Sequence, residues 1–278
     1  MTAVKSIDHP VLAVKDLDKA AACFQSLGFF LSPRAFHGDH MGTSNHVVQF
    51  AQHNFIELLE VDRPDGITPH DHSADPPSFS FGAGQRDFLA KGSGISMLAF
   101  DTDDALGDLE RFKAAGLKTY TPFHFRRQTT LPDGSKTPVS FTLGFVTNPK
   151  LPNLAFFFCQ EDAPEHFWKP DYQNHENGAQ GIRSLYLAAD DPAEHGAFFQ
   201  TLTGGDTTEI EGGIRVSLGD QGIFVLTPRR LASIAPSYRP DSGPPRFAGL
   251  GIECAGTRPT DVLPDDMGGL FIKWNGAP

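Results

Sequence analysis

Short apolar runs rich in β-branched residues alternate with polar turns along the chain, and three of them open on one pattern. Residues 7–14 read as a strand, Asp16 supplies an N-cap, and residues 17–27 carry helical spacing closed by Gly28. Residues 94–100, then Asp103-Asp104 and 106–115 closed by Gly116, repeat the pattern. Residues 181–187, then Asp191-Pro192 and 193–202 closed by Gly204, repeat it again, with Pro192 suited to a first helical turn. Two or three β-like runs follow each helix: 29–31, 46–50 and 55–61; 118–125, 139–146 and 154–159; 207–210, 214–218 and 223–227.

The repeating unit is therefore βαβββ, about 85 residues long. A fourth copy begins at 246–253 and passes almost directly to a last strand at 269–274, so it is degenerate. Residues 160–178, rich in Pro, Asp, Asn and His with Phe167-Trp168 as an aromatic anchor, read as a linker. The expected organisation is a first module over 1–165, a linker over 166–178 and a second module over 179–278. The Pro- and Gly-containing stretch 62–92 is too long for a simple turn, and loops of that length are commonly lids.

Composition narrows the function classes. With 23 Lys+Arg against 34 Asp+Glu, the 278-residue chain carries a net charge of −11 and no basic run. That excludes the clustered positive surface that nucleic acids and anionic membranes require. Three widely spaced cysteines, Cys23, Cys159 and Cys254, suggest neither a disulfide framework nor a thiolate zinc site. No export signal or long apolar span is evident, so a cytoplasmic protein is expected. Phe123, Phe125, Phe141, Phe145, Phe156 and Phe158 fall on strands of the second unit, so a set of these 24 phenylalanines shares a sheet face. Such a face is either filled core or the lining of an apolar pocket.

The repeats, the opening Ile7-Asp8-His9-Pro10-Val11-Leu12-Ala13-Val14, the Gly42-Thr43-Ser44-Asn45-His46 turn and strand, and Phe55-Ile56-Glu57-Leu58-Leu59 resemble the glyoxalase-like domains of the vicinal oxygen chelate superfamily. Phe156-Phe157-Phe158-Cys159-Gln160 and Trp168-Lys169-Pro170-Asp171-Tyr172 resemble the stretch between its modules. The resemblance implies an α+β fold in which tandem βαβββ units form two modules with curved open sheets, the fourth unit truncated. It also implies a divalent metal, Zn, Fe(II), Mn or Ni, held by His and carboxylate groups from first and fourth strands. A substrate with adjacent oxygens would chelate that metal, in lyase, isomerase or dioxygenase chemistry.

Carried over residue by residue, His9 takes the first-strand position and Glu57 the fourth-strand position. In the second unit the offset to the cap gives Ser96 if Asp103 caps and Met97 if Asp104 does, while alignment through Asn54 and Asn153 gives Phe156. The third unit offers Ser184 and no acid in 223–226. Glu57 interrupts an apolar strand, where a carboxylate is costly unless it is paired, protonated or metal-bound; facing a cavity it would serve as a general base. His46 is the candidate third metal ligand, with His37 and His40 in the preceding loop as alternatives; His70 and His72 form an H-x-H pair in the long loop. Ser96, Phe125, Phe156 and Phe158 are the expected lining, and Arg126 or Arg127 an anion clamp, since alternation lets only one face inward. The expected partner is a small molecule, and exposed sheet edges allow a homodimer. The rival expectation is a metal-free protein that sequesters an apolar or aromatic molecule.

Overall fold

A computed structural model of the chain describes residues 3–130, 136–239, 243–255 and 260–275. The first half runs β1 (Ile7–Ala13), α1 (Leu17–Ser26), β2 (Ala35–Phe36), β3 (Thr43–Gln49), β4 (Phe55–Val61), α2 (Phe81–Leu89), β5 (Gly94–Asp101), α3 (Ala105–Ala114), β6 (Lys118–Thr119), β7 (Phe123–Thr130), β8 (Lys136–Thr147) and β9 (Ala155–Glu161). The second runs α4 (Pro164–Phe167), β10 (Ala179–Ala188), α5 (Gly196–Thr203), β11 (Thr207–Ile210), β12 (Gly213–Leu218), β13 (Gln221–Leu226), α6 (Pro228–Ile234), β14 (Arg246–Cys254), β15 (Asp261–Val262) and β16 (Phe271–Trp274). They form two open mixed sheets, ordered β2-β3-β4-β1-β5-β9-β8-β6 with β7 on β8, and β11-β12-β13-β10-β14-β16-β15. This is the α+β architecture of tandem βαβββ units, with no α-helix among the described residues of the fourth unit.

Local chemistry explains most of the elements. The Asp16 carboxylate accepts the Lys19 N–H at 2.9 Å and caps α1; Asp104 does the same for α3 through the Gly107 N–H at 2.9 Å. Asp104, not Asp103, is therefore the cap. Residues 29–31 form no strand, and the edge of the first sheet is instead Ala35–Phe36. The stretch 62–92 holds a helix that its glycines conceal from sequence reading. Gly82 sits where an added Cβ would lie 2.0 Å from the Met41 carbonyl oxygen, so glycine is present for close packing rather than to end a helix.

The helix-facing sides of both sheets join in one apolar core. Leu12, Phe24, Ile56, Leu98, Phe112, Phe156 and Phe158 belong to it from the first half, and Ile182, Leu185, Phe199, Val216, Ile223 and Leu250 from the second. Phe156 packs on Phe198 and Phe199 of α5 at 5.2 and 5.6 Å, and Phe29 stacks on Trp274 at 5.6 Å. Polar side chains pin the same seam. The Asn54 carboxamide accepts the Ile182 N–H at 2.8 Å and donates to the Ile182 carbonyl at 3.4 Å, while Gln221 Oε1 accepts the Ile7 N–H at 2.7 Å. His175 accepts the Phe30 N–H on Nδ1 at 3.0 Å and donates from Nε2 to the Gln49 carbonyl at 2.8 Å. No helix among the described residues is long and apolar enough to cross a membrane.

Asn54→Ala leaves the buried Ile182 N–H without its acceptor, and chemical denaturation is expected to register a loss of about 1–3 kcal/mol. Burial lowers the pKa of His175 below its ordinary 6.5. The unfolded chain then binds more protons than the folded one in that window. The His175 contribution is accordingly complete above about pH 6.5 and is lost as pH falls through the lowered folded value. Melting temperatures followed downward from neutral pH should fall less steeply in His175→Gln than in the native protein.

Candidate functional site

The concave face of the first sheet forms an aromatic cup. Strand alternation aims Val47, Phe55, Leu59, Met97, Ala99, Phe141, Leu143, Phe145, Phe157 and Cys159 into it, and α2 and α4 add Phe81 and Phe167. His9, His37, Asn45 and Glu57 are the polar members of its lining, and the free space between them and the rings is about 50 Å³. A larger groove of about 910 Å³ lies elsewhere, bounded by α2, residues 147–155 and α5. Its titratable groups His72, Asp87, Lys91, Lys150 and Glu194 are exposed, whereas His9, His37 and Glu57 are buried together, so the smaller cup is the candidate site.

Register brings the four polar groups together. Within the parallel β1–β4 pair, Val11 lies opposite Glu57, and β3 sets Val47 opposite Glu57 on its other side. His9 Nδ1 is 3.0 Å from Asp8 Oδ1, and its Nε2 is 3.8 Å from Glu57 Oε2. The ring is held flat against Phe55 at 4.0 Å and edge-on to Phe157 at 5.3 Å. Asn45 Nδ2 donates to Glu57 Oε1, and His37 Nε2 is 3.8 Å from that oxygen while its Nδ1 meets Thr43 Oγ1 at 2.8 Å. With Asp8 accepting as a carboxylate, His9 carries its proton on Nδ1 and turns the Nε2 lone pair toward Glu57. His9 Nε2 and Glu57 Oε2 then face each other in the buried lining of the cup.

The model of the glyoxalase-like domain family matches residues 7–203, well over half of the chain. The chain belongs to the glyoxalase-like domain family. Its fold is that of the vicinal oxygen chelate superfamily. A hypothetical protein from Staphylococcus aureus is similar over 98% of this chain and 99% of its own, with a TM-score of 0.74 at 14% identity. The Mn(II)-bound glyoxalase from Novosphingobium aromaticivorans is similar over 96% and 68%, with a TM-score of 0.52 at 15% identity. A fusion protein of a xylose isomerase-like TIM barrel and 4-hydroxyphenylpyruvate dioxygenase is similar over 92% of this chain and 38% of its own, with a TM-score of 0.51 at 16% identity. At these identities the likenesses show the fold alone. A search of the curated proteins finds no match.

The donor set of this glyoxalase-like protein tests the metal that its family implies. Val11 pairs with both Glu57 and Met97, and Ala99 pairs with Phe157, so the sheet's own symmetry makes Met97 and Phe157 the counterparts of His9 and Glu57. Two of four positions are apolar. Among the described residues no three His, Cys, Asp or Glu side chains are arranged to hold one metal ion. The residues present do not fit a divalent metal at the four-ligand position.

Several sequence expectations are corrected by placement. His46 points away from the cup, its Nδ1 bound to the Ser32 carbonyl at 2.7 Å, because β3 aims Asn45 and Val47 inward and the residue between them outward. His37 enters in its place. Ser96 lies under α2 with its hydroxyl donating to Gln85 at 2.7 Å, and Met97 takes the inward position, as follows from Asp104 being the cap. Phe156 and Phe158 belong to the inter-sheet core, and Phe157 and Cys159 line the cup, a one-residue slip that flips every side chain of β9. Phe125 does line the cup, stacked on Phe141 at 5.0 Å. Arg126, on the opposite face of β7, is exposed, and the side chain of Arg127 lies outside the described residues. His70 Nδ1 accepts the Ser80 N–H at 3.0 Å and stacks on His72, outside the cup.

Phe167, from the stretch read as linker, and Cys159 also belong to the lining. The Phe-Trp pair was the available signal for the first; nothing in the sequence placed the second. Burial pushes the Cys159 thiol well up, with Asp8, Glu161, Asp101 and Glu57 adding to the effect, so it stays protonated and is no nucleophile. Peptide mass spectrometry after iodoacetamide treatment at pH 8 should find the half-buried Cys23 labelled first and Cys159 labelled only on unfolding.

Proposed function

We propose that this glyoxalase-like protein binds a small, largely apolar carbonyl compound in the first cup and moves a proton on it, with His9 as the base and no metal required. The observation that carries this reading is the buried Asp8–His9–Glu57 row, in which an imidazole lone pair held in place by one carboxylate faces another at 3.8 Å. Proton abstraction next to a carbonyl needs a base of fixed orientation and a place for the positive charge that the base acquires. Asp8 and Glu57 flank the imidazolium that forms, and Asn45 holds Glu57 in position. A proton returned to a neighbouring carbon is an isomerisation, and one returned to the opposite face an epimerisation. His37 supplies a second ring N–H toward the substrate oxygen when Thr43 donates to its Nδ1.

Aromatic walls favour a substrate whose body is apolar and whose oxygens are few. With about 50 Å³ free, a ligand of more than a few atoms needs side chains of the lining to move. The same walls favour a second reading, sequestration of an apolar ligand without turnover.

Deuterium incorporation from D2O into α-hydroxyketones and 1,2-diketones, followed by NMR after chelator treatment, tests the proposal. Exchange is expected to persist in the native protein and to drop by about 10²- to 10⁴-fold in His9→Gln. Plasma mass spectrometry of native protein beside a His9→Ala/Glu57→Ala double variant is expected to find no stoichiometric transition metal in either. A near-stoichiometric metal present only in the native protein overturns the metal-free proposal, and ligand-induced thermal stabilisation without exchange replaces it with sequestration.

A further inference from the structure

The second sheet has a cup of the same topology and different chemistry. Tyr186 pairs with Phe224 and with Gly249, as Val11 pairs with Glu57 and Met97, and Gly251 pairs with Lys273, as Ala99 pairs with Phe157. The four positions that read His9, Glu57, Met97 and Phe157 in the first cup thus read Ser184, Phe224, Gly249 and Lys273 in the second. Arg215, opposite Phe224 on β12, takes the place of Val47. Ile214, Val216 and Ile272 face the shared core, so Arg215 and Lys273 both stand on the concave side.

Among the described residues no carboxylate forms an ion pair with Arg215. Its Nε is buried with no hydrogen-bond partner, and the guanidinium lies 5.8 Å over the Phe224 ring. The two nearby carboxylates, Asp220 and Glu253, are taken by Arg183. Around Arg215 lies a cavity of about 260 Å³ lined also by Ser184, Gln221, Phe224 and Asn275, with Arg183 and its two carboxylate partners, Asp220 and Glu253, forming the rest of the wall. An added Cβ at Gly222 would come 3.3 Å from Arg215 Nε, so this glycine keeps clear the space beside the guanidinium. Lys273 stands on the same concave face, where burial and the neighbouring Arg230 lower its pKa. A guanidinium left unpaired in a part-buried hollow is costly unless something anionic arrives to pair with it.

We propose that the second cup is an anion site, in which Arg215, aided by Lys273 from the same face, takes the carboxylate or phosphate group of a small molecule whose apolar body rests on Phe224. Ser184 and Asn275 line the same cavity. The site is separate from the proton-transfer site of the first cup and does not depend on it.

Isothermal titration of the full chain at low salt with phenyl phosphate, benzoate and neutral benzyl alcohol tests this. Both anions are expected to bind and to weaken as salt is raised, the tighter one identifying the headgroup, with benzyl alcohol at least about tenfold weaker. Arg215→Met should weaken the anions about tenfold or more, Arg215→Lys less, Lys273→Met to a smaller degree, and Arg126→Met, outside both cups, not at all. Circular dichroism melting confirms that each variant is folded. Absence of anion binding, equal binding of benzyl alcohol, or affinity unchanged in a folded Arg215→Met or Arg215→Lys protein overturns the proposal.

Discussion

One apolar core lies between the two sheets, and every other feature of the molecule follows from its claim on one face of each strand. Phe156 and Phe158 from β9 meet Phe198 and Phe199 from α5 in or beside it, so neither half buries its helix-facing side alone. Because strand side chains alternate, committing one face to that core hands the other to the concave side. The two cups are what remains once the core is built. The shared face admits polar groups only where they are hydrogen-bonded, as at Asn54, Gln221 and His175, because an unpaired one there would be costly.

Within the first cup the governing fact is the nearness of two carboxylates to one imidazole. Asp8 and His9 are neighbours in sequence, whereas Glu57 reaches the same ring from a parallel strand. Burial makes each charge expensive, and the row is held by a hydrogen bond at either end, His9 to Asp8 and Asn45 to Glu57, with His9 and Glu57 3.8 Å apart between them. The ring's stacking on Phe55 removes its freedom to turn away. A proton held between groups so constrained has a defined direction of transfer, and that gives the arrangement chemical rather than merely structural meaning.

The two cups illustrate how little a shared topology says about chemistry. The same register that sets Glu57 beside His9 in one sheet sets Phe224 beside Ser184 in the other. Substitution at four or five inward positions turns a row of acids and imidazoles into a face carrying Arg215 and Lys273. The backbone pairing is unchanged, because ladder hydrogen bonds are indifferent to which side chain points inward.

The sequence alone determined the repeats, the capping residue Asp16, the two strands hosting His9 and Glu57, and the aromatic character of the second unit. These are local: periodicity, caps and turn residues act over a few positions. Helix α2 escaped because Gly82 and Gly84 read as breakers, and only contact with Met41 explains Gly82. Phe157 was passed over for Phe156, and His37 for His46, because facing depends on register, and register is fixed by pairing between strands far apart in sequence. Which histidine meets Glu57, and which arginine is left unpaired, were decided only when the sheets curved and closed on their shared core.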